Sequence, residues 1–440
     1  MKSFHLSALG VLAVQIFLLL TTMPHYDAII IGGGPSGATA ATLLAEKGHH
    51  VLLIEKETFP RYHVGESLMP FCWFTLNRLG VIDRMNEIGF VRKHSVQFAT
   101  TDGRISTPFY FFQHFDHPAA TTWQVERKDF DLMLLDNARA KGVEVRENTT
   151  ALDFLKDGDR IIGVRARTGD SDPFEATAPV TLDCTGRDAL FQRKHGSRKR
   201  DPMLNKVSIW TLFQDAKRDP GLDEGATTIA YLPEGGWFWN IPLRNGIVSS
   251  GIVAERDYLY RDTRDPAEIF AREIDNNSWI KEHLSQGRQF GEYWVTGEYS
   301  YRAEHCATDG LILVGDAFAF LDPVFSSGVF LALKSGEMAA DAVDAALANG
   351  DTSASAFAGY GDVLCGHIET MRRVVYAFYD PDFSFAKLIR KYPDLRPRLT
   401  DVLIGNVEGQ DYTDLAQAMA DFAKLPEPLA YGRVATAALA

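Results

Sequence analysis

The sequence predicts an α/β protein in which a parallel sheet is interleaved with an antiparallel one and followed by a helical C-terminal region. Three observations predict it. A strand-like apolar run at 26–31 passes into a helical stretch at 35–47 and on to a second apolar run at 51–54, a βαβ unit. Short alternating apolar segments between Lys206 and Gly251 read as antiparallel strands. Beyond Ser326 the pattern is mainly helical to the end.

In chain order, Gly48 suits the C-cap of the first helix. Helices are expected near 67–79 and 81–87, and antiparallel strands within 95–112. At 127–141, Phe130, Leu132, Leu134, Leu135 and Ala138 supply the apolar positions of a helix, and Gly142 leads into a strand at 143–146. Residues 180–184 and 310–314 read as further buried strands of the parallel type. A charged patch at 381–397 reads as loop.

The 440 residues suffice for two to four domains and a large core. Apolar residues make up 46% and charged residues 23%, the composition of an ordinary globular chain. A formal charge of -13 argues against nucleic acid as a partner. Cys72, Cys184, Cys306 and Cys365 lie far apart with no CxxC spacing, so we expect buried reduced thiols and neither a zinc site nor a disulfide framework. His63, His94 and His305 show no metal-ligand spacing either and are expected at surface or supporting positions.

Residues 7–22 form an apolar run after the single Lys2, too short for a full membrane span and with no small-x-small cleavage site behind it. We expect Met23 to be the native start, with residues 1–22 an extension outside the fold. The expected setting is cytoplasmic, and a membrane partner is expected only if the extension is native.

Two motifs carry chemistry. Gly32, Gly34 and Gly37, with Pro35 and Ser36 between them, form a GxGxxG between a strand and a helix. Such glycines let the backbone approach a pyrophosphate whose charge is met by the helix N-terminal amides, and Glu55 at the end of the second strand can bond a ribose hydroxyl, so this part is Rossmann-like. Gly315-Asp316-Ala317 follows the strand-like run ending at Val314. An Asp there can accept from a polyol such as a ribityl chain, which points to FAD rather than NAD.

With these motifs the sequence resembles the glutathione-reductase-type FAD monooxygenases, and within them the flavin-dependent halogenases of the phenol and pyrrole type. Trp237-Phe238-Trp239-Asn240-Ile241-Pro242 matches the WxWxIP signature of the halogenases. Phe59-Pro60-Arg61, the stretch from Val64 through Glu66 and Ser67 to Pro70, and Gln124-Val125-Glu126-Arg127 with Asp131 resemble further family segments, the last two bearing cofactor contacts at Glu66, Ser67 and Arg127. Glu66 has a second reading, as a cap for the helix expected near Ser67. Gly89 to His94 resembles the stretch with the catalytic lysine, which falls on Lys93, with Arg92 the adjacent alternative. Asp322 to Val329 looks like the halide-binding turn, with the amides of Ser327 and Gly328 toward chloride or bromide.

The resemblance implies a chemistry. Reduced FAD, dioxygen and halide give hypohalous acid, which passes along an internal passage to Lys93 and there halogenates an aromatic substrate. Trp237, Trp239, Pro242 and Phe325 are expected along the passage or at the substrate. Members acting on free tryptophan carry a Glu where this chain has Phe325, so the resemblance implies an electron-rich phenol or pyrrole, free or carrier-protein-bound. No second GxGxxG for a nicotinamide cofactor is visible, so a separate flavin reductase is the expected source of reduced FAD. The alternatives are a flavin enzyme that adds oxygen and a non-catalytic flavin-binding protein. Geranylgeranyl-type reductases carry Cys-Gly-Gly where this chain has Val64-Gly65-Glu66-Ser67, which argues against them. The expected division is an extension at 1–22, an FAD-binding domain at about 23–94, 125–190 and 296–345 interleaved with a substrate domain at about 95–124 and 191–295, and a helical region at 346–440.

Overall fold

The run Ala28–Ile31 has no polar alternation because both of its faces are covered: all four residues are buried, and Ala28 pairs in parallel with Val51 on one side and Val180 on the other. The computed structural model that shows this describes residues 25–434, with the backbone alone described at 298 and 299. The N-terminal apolar run, and with it the expected start at Met23, lies outside the described residues. Among the described residues no helix is long and apolar enough to cross a membrane.

Around Ala28–Ile31 a six-stranded sheet forms in the order Ala307–Thr308, Leu311–Leu313, Val180–Asp183, Ala28–Ile31, Val51–Ile54, Glu144–Arg146, parallel except for its first pair. Helix Pro35–Glu46 connects two of these strands and buries its small residues Ala38, Ala40 and Ala41. An eight-stranded sheet runs Ala319–Phe320, Arg288–Ala303, Arg198–Gln214, Ile247–Glu255, Trp237–Pro242, Thr227–Tyr231, Ser95–Ala99, Phe109–Tyr110. Strand Arg288–Ala303 carries this sheet across position 296 without a break. The α/β class with parallel and antiparallel sheets is as the sequence predicts. All four cysteines are free and buried.

Three expectations are corrected. The helix expected at 67–79 spans only Cys72–Arg78. Residues 66–68 are tied in extended form instead: Leu68 N donates to Trp123 O and Val125 N to Glu66 O, while Pro70 disfavours helical geometry at Met69. Glu66 therefore caps no helix. Ser95–Ala99 does pair antiparallel with Phe109–Tyr110, yet joins the large sheet in parallel with Thr227–Tyr231, a long-range pairing that alternation cannot report. The patch at 381–397 holds a helix, Phe385–Lys391, anchored by the buried Leu388.

The C-terminal segment is fastened to the large sheet by buried charge. Arg372 lies on helix Ala358–Tyr379; its Nε donates to Asp201 Oδ2 at 2.6 Å and its Nη1 to the carbonyl of Glu427 at 3.0 Å. The side chains of Arg372 and Asp201 are 5% and 2% exposed, so removing one partner strands the other in a poor dielectric. Arg372→Ala is expected to cost about 3–5 kcal/mol of stability, read as a lowered melting temperature.

Candidate active site

Two uncapped helix N-termini meet at the site. Helix Pro35–Glu46 starts at Gly34 with no side-chain cap, and helix Ser327–Ala348 starts at Ser326, in left-handed conformation at φ 59°, again with none. Both open on one cavity of about 500 Å³, lined among others by Gly34, Ser36, Ser326 and Gly328. Unpaired N–H groups and the helix dipole suit each end to a negative charge. Gly37 gives the first turn its shape: a Cβ there would lie 1.9 Å from the carbonyl oxygen of Gly32. A Cβ on Gly34 would meet nothing nearer than the Arg61 guanidinium at 3.8 Å, leaving room for a diphosphate in front of the helix.

Glu55 closes one side. Its Oε2 accepts from Gly33 N at 2.7 Å and its Oε1 from Glu57 N at 2.9 Å, which orients the carboxylate at the end of Val51–Ile54 along the cavity. Opposite, Arg127 grips Asp131 through Nε and Nη2 at 2.7 and 2.9 Å and donates from Nη1 to the carbonyl of Val64 at 2.8 Å. Glu66 lies beside it. One carboxyl oxygen accepts from Gly65 N at 3.0 Å, and the other is buried with no hydrogen-bond partner. Burial raises the Glu66 pKa, with the Gly65 amide and Arg127 opposing. His63, expected at a surface or supporting position, is solvent-exposed and stands on the cavity wall, its Nδ1 3.4 Å from Arg127 Nη1.

The far wall is aromatic. Trp237 and Trp239 alternate along strand Trp237–Pro242 and so share a face. Their indole nitrogens are satisfied away from each other, Trp237 Nε1 by Tyr379 Oη at 2.8 Å and Trp239 Nε1 by Ser249 Oγ at 3.1 Å. Trp210 continues the wall and donates from Nε1 to Tyr62 Oη at 2.8 Å.

Lys93 does not line the cavity. It ends strand Val91–Lys93, is 2% exposed, and donates from Nζ to Ser67 Oγ at 2.9 Å and to the carbonyl of Leu68 at 3.2 Å. Ser67 Oγ in turn meets Thr227 Oγ1 at 2.8 Å, and both Ser67 and Thr227 line the cavity. The lysine is thus one hydroxyl away from it. On its other side the Phe111 ring centroid lies 5.6 Å from Nζ. Burial lowers the Lys93 pKa to about 7, with Cys72 acting in the opposite direction. Arg92, the alternative, points the other way along the alternating strand, where its Nη2 donates to Asn86 at 2.5 Å and its guanidinium lies over the Trp123 ring.

Of the residues singled out in the sequence, Gly32, Gly34, Pro35, Ser36, Glu55, Glu66, Ser67, Arg127, Trp237, Trp239, Asp316 and Gly328 line one cavity. Gly37, Gly315 and Ser327 stand just behind its turns, and Ser327 Oγ is buried with no hydrogen-bond partner. Pro242 and Phe325 do not line it. Pro242 is buried in the sheet, and Phe325 packs its ring on Phe378 and Phe385, at 5.6 and 6.0 Å between centroids. Sequence reasoning missed Thr185, Gly186 and Arg187, which line the cavity just past strand Val180–Asp183; their place at the carboxyl end of a parallel strand is a signal that could have found them. Nothing in the sequence marks Tyr62 and Trp210.

A dinucleotide flavin fits these residues, with an uncapped helix end free for a diphosphate, a carboxylate on the same cavity at the end of the second strand, and an aromatic wall. The family model for tryptophan halogenase matches residues 27–117 and 99–384. The chain belongs to the tryptophan halogenase family, the flavin-dependent halogenases. FAD and halide are its cofactors. The pyrrole-2-carbonyl-peptidyl-carrier-protein brominase of Pseudoalteromonas luteoviolacea is 31% identical to this halogenase over 88% of the chain and 93% of the relative. Tryptophan 2-halogenase of Chondromyces crocatus is 33% identical over 80% of the chain and 67% of that protein. The solved structure of the flavin-dependent brominase Bmp2 superposes with a TM-score of 0.82 at 28% identity, covering 90% of this chain and 98% of the other.

The low Lys93 pKa has a consequence for the stability of this halogenase. The folded amine releases its proton near pH 7 and the unfolded one near 10.5, so between those values the unfolded state binds more protons and stability rises with pH. Below pH 7 both states are protonated and the burial cost is felt in full. Lys93→Met is therefore expected to be more stable than wild type at pH 6, with the difference in melting temperature shrinking steadily toward pH 10.

Proposed function

We propose that this halogenase installs bromine or chlorine on an electron-rich pyrrole, with phenols as the second acceptor class, and that the pyrrole is presented on a carrier protein. The single observation that carries the site assignment is the buried Lys93, set one hydroxyl behind the cavity with a pKa near 7. Similarity to a carrier-pyrrole brominase over nearly its whole length supports the substrate. Phe325, where family members acting on free tryptophan carry a Glu, supports an acceptor that needs less activation.

Reduced FAD bound in the cavity supplies, with dioxygen, the oxidising power that turns halide into hypohalous acid, and a separate reductase supplies the reduced FAD. The amides of Gly34 and Ser36 would hold the diphosphate, Glu55 the ribose, and Arg127 and Asp316 the remaining polar edge. The amides of Ser327 and Gly328 hold the halide, whose charge they meet without offering an acidic proton. Trp237 and Trp239 keep an organic substrate out of the cavity while passing a small oxidant. Ser67 and Thr227 sit at the crossing point to Lys93. At pH 7 a large share of Lys93 is neutral, so its amine can accept a hydrogen bond from hypohalous acid or exchange N–H for N–X with release of water. Either way the halogen is held at one point before the ring, which sets the carbon that reacts.

The test uses the FAD-loaded protein with a flavin reductase, NADH, oxygen and bromide, offered pyrrole-2-carbonyl on a carrier protein, free pyrrole-2-carboxylate and a panel of phenols. Mass spectrometry is expected to show the bromine isotope pair on the carrier-bound pyrrole. Lys93→Ala is expected to lower that product roughly 100-fold or more while reduced flavin reoxidises as in wild type. Oxygenated products without bromine would overturn the proposed use, and full bromination without Lys93 would remove that residue from the mechanism.

A further inference from the structure

Tyr379 is the last residue of helix Ala358–Tyr379 and belongs to none of the motifs described above. Its hydroxyl accepts from Trp237 Nε1 at 2.8 Å and donates to Asp322 Oδ2 at 2.9 Å. Asp322 opens the turn that delivers Ser326, Ser327 and Gly328 to the cavity. Its other oxygen, Oδ1, accepts from Val324 N at 3.1 Å, and its own N–H donates to Ser300 Oγ at 2.9 Å. The carboxylate is 2% exposed and shapes the turn from inside. A second contact joins the same two elements, since Phe378 meets Phe325 of the turn edge-on at 5.6 Å. Lys206 Nζ lies 4.1 Å from the Tyr379 ring centroid and is paired with Glu255. Burial first, and then Asp322, hold the phenol pKa well above its ordinary value, so the hydroxyl keeps its proton and remains a donor.

We infer that Tyr379 is a positioning residue for halide: held between Trp237 and Asp322, its hydroxyl fixes the Asp322 carboxylate and through it the direction in which the Ser327 and Gly328 amides face the cavity. The inference rests on the reading of that turn as the halide site. It gives the C-terminal helix a part in the chemistry and joins the aromatic wall to the anion turn through one oxygen atom.

Tyr379→Phe removes that oxygen and keeps the ring. With FAD-loaded protein, chloride affinity from NMR line broadening and the KM for bromide are each expected to weaken about tenfold, the size of one hydrogen bond to a charged group. The kcat at saturating bromide and the FAD affinity from flavin fluorescence stay as in wild type. Asp322→Asn keeps an oxygen for Val324 N but turns a nitrogen toward Tyr379, and is expected to reproduce the loss. The double variant is expected to be no worse than either single one. Additive losses, unchanged halide affinity in a folded Tyr379→Phe protein, or a parallel loss of FAD affinity would each overturn the inference. Gly328→Val tests the underlying reading separately. A Cβ there meets no atom within 4 Å, so the new side chain enters the space before the amides and is expected to abolish halide binding. Unchanged halide affinity in Gly328→Val rejects the halide site itself. Loss in Gly328→Val without loss in Tyr379→Phe rejects only the role of Tyr379.

Discussion

The close packing of helix Pro35–Glu46 on helix Ser327–Ala348 is the constraint on which the rest of the site depends. A Cβ on Gly336 would come within 2.5 Å of the Ser36 carbonyl oxygen, so the two backbones approach as nearly as chains can. Each helix then brings its uncapped N-terminus to the same cavity, one at Gly34 and one at Ser326. Two anion-seeking ends a fixed distance apart suit a reaction that joins an anionic cofactor to an anionic substrate. A side-chain cap on either helix would take up one of those N–H groups and compete with a ligand for it.

Polar groups are kept short of partners in the same places. Glu66 and Ser327 each hold a buried oxygen without a hydrogen bond, and Lys93 is buried beside a serine and a carbonyl rather than a carboxylate. Such arrangements cost stability. Burial without a carboxylate partner also lowers the Lys93 amine pKa, in contrast to Arg372 with Asp201, where buried charge is paired and fastens the C-terminal helix to the large sheet.

Much of this was legible in the sequence because it is local. The GxGxxG and the strand before it are neighbours in the chain, so their geometry follows from glycine and helix-end physics. The Lys93 and WxWxIP segments were legible only through family resemblance, since a lone lysine next to Arg92 carries no local sign of burial. Glu66 was left with two roles in the sequence. Its backbone pairing to Val125, a contact between distant segments, removed one of them. Phe325 was expected along the passage or at the substrate; that its ring packs on Phe378 and Phe385 was not legible, because those partners lie far along the chain.

By itself the sequence determined the α/β class, the dinucleotide turn, the two tryptophans on one strand face, and the residue types available for chemistry, all properties of short stretches set by backbone preference and side-chain period. Only the tertiary structure decided that Lys93 lies one hydroxyl behind the cavity, that His63 lines it, that Thr185 to Arg187 complete its rim, and that Tyr379 joins Trp237 to the turn opened by Asp322. Each of these depends on pairings between residues far apart in the chain, and burial, which sets both the pKa of the lysine and the worth of each hydrogen bond, exists only once those pairings are made.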